Sequence, residues 1–187
     1  WTGWSPTQLL GLDLRDATLG IVGMGRIGRA VGLRARGFGM RVLYASRSEP
    51  RDIDPAWRRA SLAELLSEAD VVSLHVPLTS ETHHLIGARE LAALKPTAYL
   101  INTARGAVVD EAALAEALRH GTLAGAGLDV YEHEPVIHPE LRASDKTVIL
   151  PHLGSATEGT RERMGTMVME NLLAVLEERA PPNPVEG

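Results

Sequence analysis

A glycine-rich stretch at residues 23–28, with the sequence GMGRIG, constrains the fold of this chain more than any other feature. Residues 17–22 before it are apolar and partly β-branched, which predicts a buried strand. Residues 26–36 contain few helix breakers and are followed by Gly37, a common residue at helix ends, which predicts a helix. Glycines at this spacing on a strand-to-helix turn are typical of sites that bind a dinucleotide.

The three glycines have separate expected roles in such a turn. Gly23 permits the tight turn, Gly25 lets the backbone approach a pyrophosphate, and Gly28 lets the helix pack closely against the strand. The helix N-terminus then presents free N–H groups and a positive dipole end to the phosphates. The predicted cofactor contacts here are Gly23, Gly25, Arg26, Ile27 and Gly28.

The residues after the second predicted strand, 40–45, indicate which dinucleotide binds. NAD-binding domains place an Asp or Glu there, and its carboxylate accepts hydrogen bonds from the adenosine ribose. This chain has Ser46, Arg47 and Ser48 instead. Two hydroxyls and a planar guanidinium suit a 2′-phosphate, so we predict NADP as the cofactor, with NAD possible.

Each of these interpretations has an alternative. The glycine stretch could form a turn without a ligand. Arg47 could be an ordinary solvated arginine, and Arg41 or Arg51 could contact a phosphate in its place.

Strand and helix patterns alternate along the chain. The predicted strands are residues 17–22, 40–45, 71–76, 98–102, 124–130 and 147–150. Helices are predicted at 26–36, from the capping box at 61–64, at 88–94, at 111–120 and at 155–179, with a short one beginning at Ser5. Such alternation predicts an α/β fold, a doubly wound parallel sheet of the Rossmann type with three αβα layers.

Composition excludes several classes of function. The net charge is −5, so no broad basic surface points to nucleic acid. The chain has no cysteine, which excludes thiolate zinc sites and fits a reducing, cytoplasmic location. No apolar stretch reaches the length of a membrane span. His83 and His84 lack the spacing of a metal pair on a helix, so no metal site is predicted.

Four polar residues lie at or just after the carboxyl ends of the last three predicted strands, where ligands of doubly wound sheets bind. Arg105 could hold the carboxylate of a 2-oxo acid and polarise its carbonyl. His152 could donate the proton for the new hydroxyl, and Glu134 could keep that imidazole charged and oriented. Asp129 could bind the nicotinamide carboxamide. Three of these residues also have a purely structural interpretation. Arg105 could be a surface arginine, Glu134 a solvated loop acid and His152 a packed histidine.

Five segments together resemble one known family. They are residues 23–28, HVPLT at 75–79, NTARG at 102–106, 127–135 around GLDV and EP, and PHLGS at 151–155. Residues 19–182 resemble the coenzyme-binding domain of the D-isomer-specific 2-hydroxyacid dehydrogenases. WTGWSP at 1–6 and the serine-arginine-serine segment resemble the glyoxylate/hydroxypyruvate reductase branch, which commonly prefers NADPH.

The resemblance implies roles for individual residues. Arg105, Glu134 and His152 would be catalytic. Residues that would contact the cofactor, besides the glycine stretch and residues 46–48, are Val76, Pro77, Thr82, Thr103, Asp129, His152 and Gly154.

The resemblance also implies an organisation and a substrate. Residues 1–187 would form the dinucleotide-binding domain, with 1–10 as a hinge and dimer-contact segment, while a separate substrate domain is missing. The protein would be a homodimer that reduces a small 2-oxo acid, glyoxylate or hydroxypyruvate. The alternatives are a D-lactate- or phosphoglycerate-type dehydrogenase, or a non-enzymatic co-repressor that senses the dinucleotide. Formate dehydrogenases fit less well because they have Gln where Glu134 stands.

Overall fold

The computed structural model describes residues 3–8, 10–48, 50 and 52–185, which form two compact units, Trp1–Pro151 and His152–Gly187. Within the described part of the first unit, all strands belong to one parallel sheet. The strands are β1 Thr18–Val22, β2 Arg41–Ala45, β3 Arg58–Arg59, β4 Val71–Leu74, β5 Tyr99–Asn102, β6 Gly125–Leu128 and β7 Thr147–Ile149. The helices are α1 Arg26–Ala35, α2 Leu62–Glu68, α3 Ala88–Ala92, α4 Glu111–His120, α5 Pro139–Ala143 and, in the second unit, α6 Glu158–Leu176.

The strand order is β3-β2-β1-β4-β5-β6-β7, and it reverses direction at β1. The chain first winds outward through β2 and β3, then returns to the other side of β1 and continues through β4 to β7. In sheets of this kind the loops on either side of the reversal diverge and leave a crevice beyond the carboxyl ends of the strands. The predicted dinucleotide turn follows β1 and therefore lies at this crevice.

Side chains on β1 pack into two separate cores, one on each face of the sheet. Ile21 lies in a cluster with Val42 and Trp57, on the face that carries α1. Gly20 faces the opposite side, where an added Cβ would lie 2.5 Å from Cδ2 of Leu65 on α2. Alternate residues of a strand point to opposite faces, so helices cover both sides of the sheet. The predicted three-layer αβα architecture is confirmed.

Local capping signals placed two of the helices correctly. The Ser61 hydroxyl accepts from the Glu64 backbone N–H at 3.3 Å, and the Ser61 N–H donates to the Glu64 carboxylate at 2.8 Å. These two bonds form the predicted capping box of α2. Asp110 accepts from the Ala113 N–H at 2.9 Å at the start of α4, and Gly121 at φ 71° ends that helix.

Several helix ends differ from the predictions, two of them before β2. Residues 6–8 form a single turn, in which the Gln8 N–H donates to the Ser5 carbonyl, and no helix begins at Ser5 among the described residues. The chain after α1 tightens into a 3₁₀ turn over Arg36–Phe38, so the left-handed residue that ends it is Gly39 at φ 71°, and not Gly37.

Two short elements, β3 and α5, were not predicted from the sequence. The strand β3 consists of two exposed arginines, which have no apolar alternation, and α5 spans only five residues. The last helix is shorter than predicted at both ends, and it begins at Glu158 because Thr157 caps it by accepting from the Thr160 N–H at 3.3 Å. No helix of the described residues has the length and apolar character required to cross a membrane.

Asp70 ties together the starts of three strands. Its carboxylate accepts from the Thr18 N–H and from the Lys95 ammonium, each at 2.8 Å, and its carbonyl accepts from the Tyr99 N–H at 3.0 Å. Burial works to raise the pKa of Asp70, but the Lys95 ammonium and the Thr18 N–H outweigh it and hold that pKa below its usual value. Ionised Asp70 therefore stabilises the sheet.

We expect Asp70→Asn to lower the free energy of unfolding by about 1–3 kcal/mol at neutral pH, since the substitution removes the charge from two hydrogen bonds. A depressed native pKa stabilises the fold above the unfolded pKa of about 3.9, and the contribution is lost as pH falls through the native value. Urea unfolding from pH 7 to pH 2 should therefore show the two proteins converging in acid. Asp145→Asn, at an exposed position, is the control; a difference that persists at pH 2 would contradict the explanation.

Candidate functional site

The turn after β1 has the geometry expected of a dinucleotide-binding loop. Gly23 has φ 97°, and a Cβ there would lie 2.5 Å from the His75 carbonyl oxygen. A Cβ on Gly28 would lie 2.2 Å from the Gly23 carbonyl oxygen, so only glycine allows α1 to approach β1 this closely. Gly25 differs from both, because a Cβ at this position would have no neighbouring atom within 4 Å. The open side of the turn is therefore at Gly25.

The N-terminus of α1 lies at this open side and has no side-chain cap from its N-cap residue. Gly25 is the N-cap residue, it makes no side-chain capping bond, and the first turn carries no acidic residue. Uncapped N–H groups and the positive end of a ten-residue helix attract anions such as phosphate. Arg26 and Ile27 are exposed in this first turn and border a separate shallow hollow on the outer side of α1.

A cavity of about 800 Å³ lies beyond the carboxyl ends of β1, β2 and β4. Its position is the crevice expected from the reversal of strand order, and its volume suits a cofactor. The predicted cofactor residues that line it are Gly23, Gly25, Ser46, Arg47, Ser48, Val76, Pro77 and Thr82. The chain thus brings together in one cavity the glycine turn and the end of β2, the two features that the sequence connected with the dinucleotide.

The end of β2 carries the residues predicted to contact a 2′-phosphate. Arg47 is exposed, and its Nη1 lies 2.7 Å from Oε2 of Glu81. Arg59 on β3 donates from Nη2 to the Ser46 carbonyl at 3.0 Å, which fixes the backbone of this segment. Arg41 begins β2 while Ser46 follows its end, a separation of roughly 16 Å along the strand, so the prediction that Arg41 could serve is wrong. Arg51 lies outside the described residues.

The opposite wall of the cavity is the segment after β4. Thr82 is buried there, and its hydroxyl donates to the Pro77 carbonyl at 2.6 Å and accepts from the Thr79 N–H at 2.8 Å. The Thr82 hydroxyl therefore stabilises the backbone conformation of this wall. His75 lies just beyond the end of β4 instead of inside it, with Nε2 2.9 Å from the Ser73 hydroxyl, and burial lowers its pKa.

Arg105 follows β5 in a loop that Asn102 holds. The buried Asn102 side chain accepts from the Ala104 N–H at 3.1 Å and donates to the Arg105 carbonyl at 3.0 Å. The Arg105 guanidinium is exposed, and its Nη1 donates to the Ala104 carbonyl at 2.6 Å. Thr103 is exposed in the same loop. The backbone of Arg105 is thus fixed while most of its donors remain directed to solvent or to a ligand.

The loop that carries Glu134 follows β6 and contacts the Arg105 loop. A Cβ on Gly106 would lie 1.8 Å from the Tyr131 carbonyl carbon, so the two backbones touch there. Glu134 accepts from the Tyr131 N–H at 3.1 Å, and the Tyr131 hydroxyl lies 2.7 Å from the Leu150 carbonyl oxygen. Burial raises the pKa of that hydroxyl, so it stays a donor. Asp129 is buried at the start of this loop, and its N–H donates to the Asn102 carbonyl at 3.0 Å.

His152 and Gly154 belong to the second unit, His152–Gly187, and both are exposed. His152 has φ 54°, in the left-handed region, which is uncommon for residues other than glycine although Asn, Asp and His adopt it more often than the rest. Such backbone conformations are found disproportionately at functional positions.

Three residues of the site were not predicted from the sequence. Asn102 lies in the NTARG segment but was not predicted as a site residue. An Asn side chain that accepts from the N–H two residues later is a known local turn signal. Arg59 and Glu81 carried no signal, because each reaches the end of β2 from a distant part of the chain. The described residues hold no group of three or more His, Cys, Asp or Glu that could bind a metal ion.

Residues 1–154 match the family model of the D-isomer specific 2-hydroxyacid dehydrogenases, NAD binding domain. The chain belongs to this family. The predicted family is confirmed, and with it a domain that binds a nicotinamide dinucleotide; the roles of single residues stay predictions. The open turn at Gly25, the uncapped helix and the cavity all fit such a cofactor.

Similar members of the family include several glyoxylate reductases. The glyoxylate reductase of Thermococcus litoralis is 50% identical over 183 residues, which are 97% of this chain and 55% of that protein. Among solved structures, the TT0316 protein of Thermus thermophilus is 58% identical with a TM-score of 0.93, over 100% of this chain and 59% of the other. The NADPH-dependent glyoxylate/hydroxypyruvate reductase of Sinorhizobium meliloti, in complex with NADP and malonate, is 38% identical with a TM-score of 0.88, over 93% and 54%. The chain therefore spans little more than half of the 2-hydroxyacid dehydrogenases it matches.

The exposed position of Gly25 leads to a prediction that separates binding from folding. A methyl group there meets no protein atom, but it points to where a pyrophosphate would lie against α1. We expect Gly25→Ala to raise the Kd for the dinucleotide about tenfold or more, the loss of one or two hydrogen bonds, with little change in Tm. Calorimetric titration and thermal melting measure the two quantities. Gly37→Ala, also without neighbours within 4 Å, should change neither; a normal Kd in Gly25→Ala would place the cofactor elsewhere.

Proposed function

We propose that this chain is the coenzyme domain of an enzyme that reduces glyoxylate or hydroxypyruvate with NADPH. The single observation that carries the proposal is the pair of contacting loops that presents Arg105 and Glu134 at adjacent strand ends of a dinucleotide-binding domain. Leu128 pairs with Asn102 and Ile149 pairs with Leu128, so these strand ends are neighbours in the sheet. The glyoxylate reductases among the relatives support the choice of substrate.

A bound nicotinamide dinucleotide would supply the hydride for this reaction. Arg105 would hold the substrate carboxylate with its planar fork of donors and polarise the carbonyl oxygen. His152 would donate a proton to that oxygen, and Glu134 would keep the imidazole oriented and charged. Asp129 and Thr103 would contact the nicotinamide half of the cofactor.

NADPH is the proposed form of the cofactor because of the residues that follow β2. Ser46, Arg47 and Ser48 place two hydroxyls and a guanidinium at the cavity, and Arg59 fixes their backbone. No carboxylate belongs to this segment to repel a 2′-phosphate. The Sinorhizobium meliloti structure, which holds NADP, supports the same choice.

The assembly is a further part of the proposal. The substrate domain would come from residues that this sequence does not include, and the enzyme would work in the cytoplasm as a homodimer joined through the coenzyme domain. Trp4 and Leu10 have exposed fractions of 79% and 74%, so this segment presents apolar surface that a partner would cover. They lie in the 1–10 segment that we assign to the dimer contact.

The decisive experiment is a steady-state assay of the full-length protein with NADPH and NADH. Glyoxylate, hydroxypyruvate, pyruvate and phosphohydroxypyruvate are the substrates to compare. Highest kcat/KM with glyoxylate or hydroxypyruvate and NADPH is the expected result. Preference for pyruvate or phosphohydroxypyruvate would favour a D-lactate- or phosphoglycerate-type dehydrogenase. Dinucleotide binding without turnover of any 2-oxo acid would favour a co-repressor.

A further inference from the structure

Glu81 brings a carboxylate from another part of the chain to residues 46–48, which carry none of their own. The carboxylate oxygen Oε2 lies 2.7 Å from Nη1 of Arg47, and both residues line the same cavity. Glu81 comes from the segment after β4, whereas Arg47 follows β2. The two residues therefore meet across the mouth of the cavity, next to Ser46 and Ser48.

Hydrogen bonds anchor the backbone next to each member of this pair. Next to Glu81, the buried Thr82 donates to the Pro77 carbonyl at 2.6 Å and accepts from the Thr79 N–H at 2.8 Å. Next to Arg47, Arg59 donates to the Ser46 carbonyl at 3.0 Å. The segments that carry Glu81 and Arg47 are thus anchored, while the two side chains themselves remain exposed.

The pair itself is weak enough to exchange. Side-chain exposure is 76% for Arg47 and 68% for Glu81, and an ion pair this exposed contributes little because water competes for both charges. A 2′-phosphate that binds Arg47 either displaces Glu81 or shares the guanidinium with it, and in both cases it lies near the negative charge of Glu81. A ribose with a free 2′-hydroxyl can instead donate to the carboxylate, which is the role of the acid after β2 in NAD-binding domains.

We infer that Glu81 determines cofactor specificity by opposing Arg47: it weakens NADPH binding and preserves NADH binding. The inference rests on the proposed function in one respect, namely that the adenosine ribose of a dinucleotide lies at residues 46–48. It adds a specificity-determining residue, and it predicts an enzyme that uses both cofactors with only modest discrimination.

Calorimetric titration of the full-length protein with NADPH and with NADH tests this inference. Glu81→Gln keeps the size of the side chain and removes its charge. We expect the Kd for NADPH to fall about three- to tenfold, as the loss of one nearby like charge at an exposed site implies, and the Kd for NADH to stay equal or rise. Because Glu81 is exposed, the Tm should not change.

Glu68→Gln is the matched control. Glu68 forms an exposed ion pair with Arg58 at 2.5 Å and does not line this cavity, so its substitution changes the net charge equally. An unchanged ratio of the two Kd values in Glu81→Gln, or the same change in Glu68→Gln, would overturn the inference alone. Failure of the wild-type protein to bind either dinucleotide would overturn the proposed function and this inference together.

Discussion

Replacing His152 by asparagine in the full-length protein is expected to lower kcat for glyoxylate or hydroxypyruvate about 10²- to 10⁴-fold, the usual contribution of a positioned proton donor. Asparagine suits the test because it tolerates the left-handed backbone that His152 adopts at φ 54°. Its amide does not titrate near neutral pH, so it cannot deliver a proton to the carbonyl oxygen. The Kd for NADPH should change far less than kcat, because the glycine turn and residues 46–48 still line the cofactor cavity.

His133→Asn is the control for this substitution. His133 is an exposed histidine in the loop that carries Glu134, and it has no proposed part in catalysis. Its kcat should equal that of the wild type. If His152→Asn retained most of its turnover, the proton would come from another group, and the assignment of His152 as the donor would be wrong.

Replacing Gly106 by alanine is expected to reduce kcat/KM about 100-fold or more and to lower Tm. The added Cβ would lie 1.8 Å from the Tyr131 carbonyl carbon and 2.4 Å from the Glu132 nitrogen, both of them backbone atoms. Backbone cannot rotate away as a side chain can, so the Arg105 and Glu134 loops must separate. Overpacking of this kind costs about 1–3 kcal/mol or more, and misplacing a binding group by 1 Å costs about 100-fold in rate.

Gly37→Ala serves as the control here too, since the new methyl group meets no atom within 4 Å. Steady-state kinetics and thermal melting of both variants complete the comparison. A Gly106→Ala protein with wild-type kcat/KM would show that the contact between the two loops has no part in positioning Arg105.

The parts of the fold that could be predicted are those specified by neighbouring residues. The capping box of α2, the Asp110 cap of α4 and the alternation of buried strands with helices all depend on residues a few positions apart. The elements that could not be predicted depend instead on residues that are far apart in the chain. Nothing near Arg58 and Arg59 specifies a strand; they pair with β2 only because the folded chain brings them beside Leu43 and Tyr44.

The candidate site shows the same division. Arg47 was found because it follows a strand in a position where dinucleotide-binding domains place their ribose contact. Its partner Glu81 was not found, since 34 positions separate the two and only the anchoring of Thr82 and Ser46 brings them together. The sequence predicted Arg47 as a phosphate contact, but it did not reveal that the Glu81 carboxylate binds the same guanidinium.

By itself, the sequence determined the doubly wound fold, the family and the glycine turn that we propose as the dinucleotide site, because each depends on local spacing. Gly23 needs a positive φ, and Gly28 needs contact with the strand it follows. Only the tertiary structure decided which charged side chains meet at the cavity and which loops contact each other. Parallel strands collect their carboxyl ends at one edge whatever the separation of their residues in the chain. That edge joins Glu81 to Arg47 and the Arg105 loop to the Glu134 loop, and no pattern within a single segment encodes either contact.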